Sequence, residues 1–259
     1  MRFGELEGDV AGAGDDCPPV VLLHGLTFDR GMWAPLRRAL PGRRVLTLDL
    51  PGHGASPRRG SYDMSEVAEA VHGAITAAGL REPVLVGHSI GAVVATVYAA
   101  NHPVRAVLDI DQPLLAGPFG ELLRSVETVL RGPDHPRVWD KLLAGMGAEE
   151  LASEARALLR SSPRQDLLLG YWREILEVPA AELREVRTRQ LAALHRAGSA
   201  FHHLSRMPVN PAYAGWLTSV LPDAGFTVLP GSGHFPHIGQ PDAVAGIVVA
   251  LSEKDDEIV

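Results

Sequence analysis

A chain of 259 residues, 46% hydrophobic and 21% charged, has room for one α/β core with an insertion and the composition of a soluble globular protein. Its net charge of -7 includes a short acidic cluster at Glu253–Glu257 and no basic stripe, which excludes the electrostatic footprint of a nucleic-acid binder. The apolar runs are too short to cross a bilayer, and a single cysteine, Cys17, excludes an intramolecular disulfide framework.

The N-terminal residues Met1–Glu7 hold no apolar segment of the kind a secretion signal needs, so a cytoplasmic protein is expected, with neither nucleic acid nor membrane as partner. Short apolar runs then alternate with helix-like segments. In chain order they are strand Val20–Leu23, helix Gly31–Leu40, strand Arg44–Leu48, helix Met64–Ala78, strand Val84–Val86, helix Ile90–Asn101 and strand Ala106–Ile110. Asp63 with Glu66 three residues on resembles a capping box at the start of the second helix, and His102-Pro103 closes the third.

From Pro113 to Arg196 the alternation stops, and the spacing predicts helices only: Phe119–Leu130, Val138–Leu143, Glu149–Leu159, Gln165–Leu176 and Glu182–Leu194. Helix Ala212–Leu221, strand Phe226–Leu229 and helix Asp242–Leu251 complete the chain. The pattern predicts an α/β fold with a mostly parallel central sheet flanked by helices. Residues 1–112 and 197–259 would form the core, and 113–196 a helical cap over the C-terminal ends of the strands, where open α/β sheets bind ligands.

The chemistry-bearing residues fall at those strand ends. Gly87-His88-Ser89-Ile90-Gly91 has the form G-x-S-x-G and sits between a strand and a helix, the setting a nucleophile elbow requires. His24-Gly25-Leu26 follows the first of the parallel strands, so the Leu26 and Ile90 amides are the expected oxyanion donors. A serine hydroxyl needs a base that titrates near neutrality, and His234, in Gly233-His234-Phe235 after the last strand, is positioned to serve. His24, His53, His88 and His237 lie near the same cleft and are read as structural.

The motifs His24-Gly25, Asp49-Leu50-Pro51-Gly52-His53-Gly54-Ala55-Ser56, Gly87-His88-Ser89-Ile90-Gly91 and Gly231-Ser232-Gly233-His234-Phe235-Pro236-His237 occur in this order. Together they resemble the α/β-hydrolase superfamily over nearly the whole core. The resemblance implies a Ser–acid–His triad acting on a small-molecule substrate, with no metal or organic cofactor.

One part of the family pattern is missing. Its acid commonly follows the penultimate strand, here near Ala200–Pro211, and no Asp or Glu occurs between Glu185 and Asp223. A less common arrangement places the acid after the strand that follows the nucleophile helix. There Asp109 and Asp111 stand on one face of Ala106–Ile110 and its continuation. Asp111, nearer the C-terminal end, is the expected acid, with Asp109 the alternative and a structural role for both a third reading. Asp29 and Arg30 can bind a polar substrate group or simply form a local ion pair. Phe28, Trp33, Trp139, Tyr171 and Trp172 can line an acyl pocket or belong to the core. The expected reaction is hydrolysis of a carboxylic ester or lactone. Cleavage of a C–C bond, thioester or amide by the same residues, and ligand binding on a scaffold without catalysis, are the competing readings.

Overall fold

A computed structural model of the chain describes residues 1–13 and 16–253; Lys254–Glu257 of the acidic cluster lie outside them. Eight strands form one sheet: β1 (Arg2–Phe3), β2 (Leu6–Ala11), β3 (Val20–Leu23), β4 (Val45–Leu48), β5 (Val84–His88), β6 (Ala106–Ile110), β7 (Ala200–Ser205) and β8 (Gly225–Val228). Their order is β1-β2-β4-β3-β5-β6-β7-β8, antiparallel from β1 through β2 to β4 and parallel thereafter. Every residue of β3, β4, β5 and β6 is buried, so the sheet is covered on both faces.

The helices are α1 (Ala34–Arg38), α2 (Met64–Ala77), α3 (Ile90–Ala99), α4 (Gly117–Ser125), α5 (Glu127–Leu130), α6 (His135–Ala144), α7 (Ser153–Arg156), α8 (Gln165–Tyr171), α9 (Arg173–Glu177), α10 (Ala180–Arg196), α11 (Pro211–Val220), α12 (Pro236–Gly239) and α13 (Pro241–Glu253). Helices α1, α12 and α13 pack together, while α2, α3, α10 and α11 form a row in which each touches the next. No helix among the described residues is long and apolar enough to cross a membrane.

Several expected elements are altered for local reasons. The segment predicted as helix Gly31–Leu40 begins as a 3-10 turn, Arg30–Trp33, because the Asp29 carboxylate accepts from Gly31 N at 2.7 Å. Asp63 likewise caps α2 through Ser65 N at 2.9 Å. The predicted helix Glu149–Leu159 shrinks to a 3-10 turn, Ala148–Glu150, and the short α7, because Leu151 turns extended (φ -80, ψ 146) to bury its side chain. Trp172 interrupts Gln165–Leu176, and Val126 interrupts Phe119–Leu130. Strands β1, β2 and β7 are additions to the predicted set.

The helical stretch between β6 and β7 divides in two. Helix α10 packs on α3 and α11 with Leu191 and Leu194 buried. The part before it reaches loops at the C-terminal ends of the strands: Tyr171 Oη donates to Pro51 O (2.9 Å), Arg164 Nη1 to Gly52 O (2.7 Å) and Ser162 N to Thr27 O (2.9 Å). Strand order reverses at β3 and β5, and the crevice outside their C-terminal ends is where the geometry of such sheets opens a ligand site. Leu108 is fully buried at the middle of β6. Leu108→Ala is expected to lower the unfolding free energy by about 2–5 kcal/mol with an unchanged denaturant slope, measured by urea titration.

Candidate active site

Four non-glycine residues among those described have positive φ: Thr27, Glu82, Ser89 and Asp111. Three of them stand where β3, β5 and β6 end. Such backbone costs on the order of 1–3 kcal/mol per residue and persists only where the surroundings enforce it. At Ser89 (φ 53, ψ -126) the chain passes from β5 into α3 without an intervening loop. Glycine is obligatory on either side. A Cβ on Gly87 would lie 2.4 Å from Ala92 Cα, and one on Gly91 would lie 2.2 Å from Leu23 O. Ile90 N opens α3, so it is one of the amides that a helix leaves without an internal partner.

The histidine loop reaches the same point. His234 Nδ1 donates to Asp111 Oδ2 at 2.7 Å. The other oxygen of Asp111 accepts from Arg206 N at 3.0 Å, and Arg206 Nε lies 3.7 Å from the carboxylate. The loop after β7, which carries no carboxylate, thus supplies donors to the acid on the neighbouring strand. Burial alone would push the Asp111 carboxyl up, but its hydrogen bond and charge interaction with His234, joined by Arg206, hold it below its ordinary value.

Asp109, the alternative acid, is fully buried and faces a different histidine. His203 Nδ1 donates to Asp109 Oδ2 at 2.8 Å, while Gln112 N donates to Oδ1 at 3.1 Å. Burial pushes the Asp109 carboxyl up despite His203. Burial alone would lower His203, yet the adjoining carboxylate raises it. Ser89 Oγ donates to Gln112 Oε1 at 3.5 Å, a contact to a residue that the sequence reading passed over although it adjoins Asp111.

The other histidines near the cleft hold loops, as expected. His24 donates from Nδ1 to Gly25 O (2.8 Å) and accepts at Nε2 from Leu50 N (2.9 Å). His53 donates to Pro51 O (3.1 Å) and accepts from Thr27 N (3.0 Å). His88 Nε2 donates to His234 O at 2.8 Å, supporting the histidine loop from beneath. His237 packs on Trp33 and His88, and neither of its ring nitrogens has a hydrogen-bond partner among the described residues.

Asp29 and Arg30 serve local structure: Arg30 joins Asp9 (2.7 Å) and the buried Asp49. Asp49 also accepts from Ala55 N (2.9 Å), and a Cβ on Gly54 would meet its carboxylate at 2.2 Å, so this loop is built around one acid. Tyr171 stacks on Tyr62, and Trp33 belongs with His237. Phe28, Trp139 and Trp172 form a buried aromatic row that starts beside Phe235 and ends at the partly exposed Phe119. No group of three or more His, Cys, Asp or Glu side chains among the described residues is arranged to hold a metal ion.

The profile of the alpha/beta hydrolase family matches residues 20–247, and the chain belongs to that family. It is similar to pimeloyl-[acyl-carrier protein] methyl ester esterases. One, from Chromobacterium violaceum, is 31% identical over 85% of this chain and 89% of its own. Another, from Yersinia enterocolitica, is 28% identical over 97% and 99%. Among solved structures, that of AqDC, described for recognition and ring-cleavage of the Pseudomonas quinolone signal, superposes with a TM-score of 0.82. It is 22% identical and covers 96% of both chains, a likeness of fold.

Burial pushes His24, His53, His88 and His237 below the ordinary histidine value, His53 and His88 well below it and His237 to about 3. The unfolded chain therefore takes up these protons first as pH drops through 6.5. The contribution of these four histidines is expected to be full above that pH and to fall toward pH 4, each by up to about 1.4 kcal/mol per pH unit, while the raised His203 acts in the opposite sense. Urea midpoints at pH 7.5, 5.5 and 4.5 measure the slope. His237→Leu should flatten it by about one proton, and an unchanged slope would refute the assignment.

Proposed function

We propose that the protein is a serine hydrolase cleaving a carboxylic ester or lactone of a small molecule through an acyl-enzyme. Ser89 is the nucleophile, His234 the general base and Asp111 the acid that orients it. The observation that carries this reading is the 2.7 Å hydrogen bond between His234 Nδ1 and Asp111 Oδ2, beside the left-handed turn at Ser89.

With Nδ1–H committed to the carboxylate, His234 Nε2 holds the lone pair. It takes the Ser89 proton as Oγ bonds to the carbonyl carbon, and Asp111 stabilises the resulting imidazolium. The Leu26 and Ile90 amides receive the oxyanion, each worth roughly 3 kcal/mol on the barrier. The next amide, Thr27 N, is engaged by His53. His234 then protonates the leaving alcohol, and a water activated by the same nitrogen releases the acid. In the free protein the Ser89 hydroxyl rests on Gln112; its transfer to His234 belongs to the substrate complex, where catalytic hydrogen bonds tighten.

Residues 113–196 act as a cap on this reading, with α4 to α9 covering the strand ends and α10 returning the chain to the sheet. The methyl ester esterase names of the two relatives favour an ester over a C–C, thioester or amide bond. The row Phe28, Trp139, Trp172 favours an apolar acyl group. A single cysteine suits a cytoplasmic setting.

A panel of p-nitrophenyl esters tests the reaction, with turnover expected from the wild type and a loss of about a million-fold in kcat for Ser89→Ala. A fluorophosphonate should label Ser89; failure of both turnover and labelling would leave a binding scaffold. Asp111→Asn is expected to lower kcat about 1,000- to 10,000-fold, while Asp109→Asn, tested on the same esters, acts mainly on stability. The reverse outcome would transfer the role to Asp109.

A further inference from the structure

Thr27 directly follows Leu26, and its φ of 70 is one that a β-branched residue adopts only when neighbours impose it. Each of its polar groups is engaged. Its N–H donates to His53 Nε2 at 3.0 Å, its carbonyl accepts from Ser162 N at 2.9 Å, and its hydroxyl shares a 2.7 Å hydrogen bond with Ser161 Oγ. Ser161 Oγ in turn accepts from Trp139 Nε1 at 2.8 Å. Two of the three anchors of Thr27 therefore come from the helical stretch between β6 and β7, and Trp139 secures one of them.

The same stretch grips the histidine loop. His234 N donates to Met146 O at 2.7 Å, and Gly233 N to Glu150 Oε2 at 3.1 Å. A Cβ on Gly233 would stand 2.4 Å from Met146 O, so the two backbones meet directly. One segment, from Met146 to Ser162, thus touches both loops that flank Ser89.

We infer that Thr27 and Ser161 are positioning residues for the oxyanion hole, an inference that rests on the serine-hydrolase reading above. Docking of the insertion through Ser161 and Ser162 holds Thr27 in its left-handed conformation. The φ of Thr27 fixes how the Gly25–Leu26 segment is set relative to the 3-10 turn that follows at Arg30, and so aims the Leu26 amide at the position of the oxyanion. Of the three bonds that hold Thr27, the one to His53 alone is independent of the insertion.

The test uses the full chain with Thr27→Val, which keeps the branched shape and removes the hydroxyl, with Ser161→Ala, and with Thr27→Ser, which restores the donor. On the best p-nitrophenyl ester, Thr27→Val and Ser161→Ala are expected to lose about 10- to 100-fold in kcat with KM changed less than about threefold. Affinity for an alkylboronic acid, which forms a tetrahedral adduct on Ser89, should fall by the same factor, while inhibition by the product carboxylic acid stays constant. The double variant should be no worse than either single one, and Thr27→Ser should recover most of the wild-type kcat. Unchanged kcat and boronate affinity would overturn the proposal. So would a loss confined to KM, or one that follows a lowered Tm and is not rescued by serine. Wild-type turnover and fluorophosphonate labelling are measured alongside. If both are absent, the hydrolase reading and this proposal fall together; if both are present and the variants match the wild type, this proposal alone falls.

Discussion

The left-handed turn at Ser89 is the constraint on which the rest of the site depends. Because α3 starts as β5 ends, its first turn is pressed against the end of β3, and Gly91 is the contact: any side chain there would strike Leu23 O. That closeness brings the His24-Gly25-Leu26 loop beside the serine. Gly25 is held in the same way, since a Cβ would stand 2.7 Å from His88 Nδ1. His88 carries the backbone of His234 through its other nitrogen. The serine turn, the loop after β3 and the histidine loop are therefore packed together through two glycines and one buried imidazole.

Electrostatics then separate one histidine from its neighbours. His24, His53, His88 and His237 are buried with backbone partners or none, and burial lowers all four below the ordinary histidine value. His234 faces an ionised carboxylate across 2.7 Å. Of the five rings in this cluster it is the one with a nitrogen on a carboxylate. His203 is also paired with a carboxylate, but it is buried on β7 with Asp109, Tyr213 and Phe226 around it.

Much of this was readable from the residues, because the buried parallel strands are compact apolar runs and the glycine motifs mark turns that only glycine can make. The strands that escaped detection explain why reading has a limit. Leu6–Ala11, flanked on one side by only the two-residue β1, carries Glu7 and Asp9, and Ala200–Ser205 contains two adjacent histidines that look unsuited to a sheet interior. His203 is tolerated there by Asp109, 94 residues away in sequence, and His202 hydrogen-bonds Thr227. Such long-range partners have no local signature. The same holds for Asp111. Its place at the end of β6 made it a candidate beside Asp109, but only the fold reveals that one carboxylate turns to His234 and the other to His203. The breaks at Leu151 and Trp172 were hidden too, since both side chains continue the helical spacing while their backbones leave the helix to fill the interior.

The acid at the end of β6 also changes how the site answers to motion and to sequence drift. Ser89 N donates to Ile110 O at 3.0 Å, so the serine and Asp111 continue one parallel ladder between adjacent strands. Twisting or breathing of the sheet carries both as a single body, and only the histidine arrives from a separate loop. In the proposed triad this leaves one joint, the histidine loop, instead of two. The loop after β7 lends Asp111 both its backbone amide and the nearby Arg206 guanidinium. What that loop must keep, whatever its length, is an N–H and a cation facing Asp111.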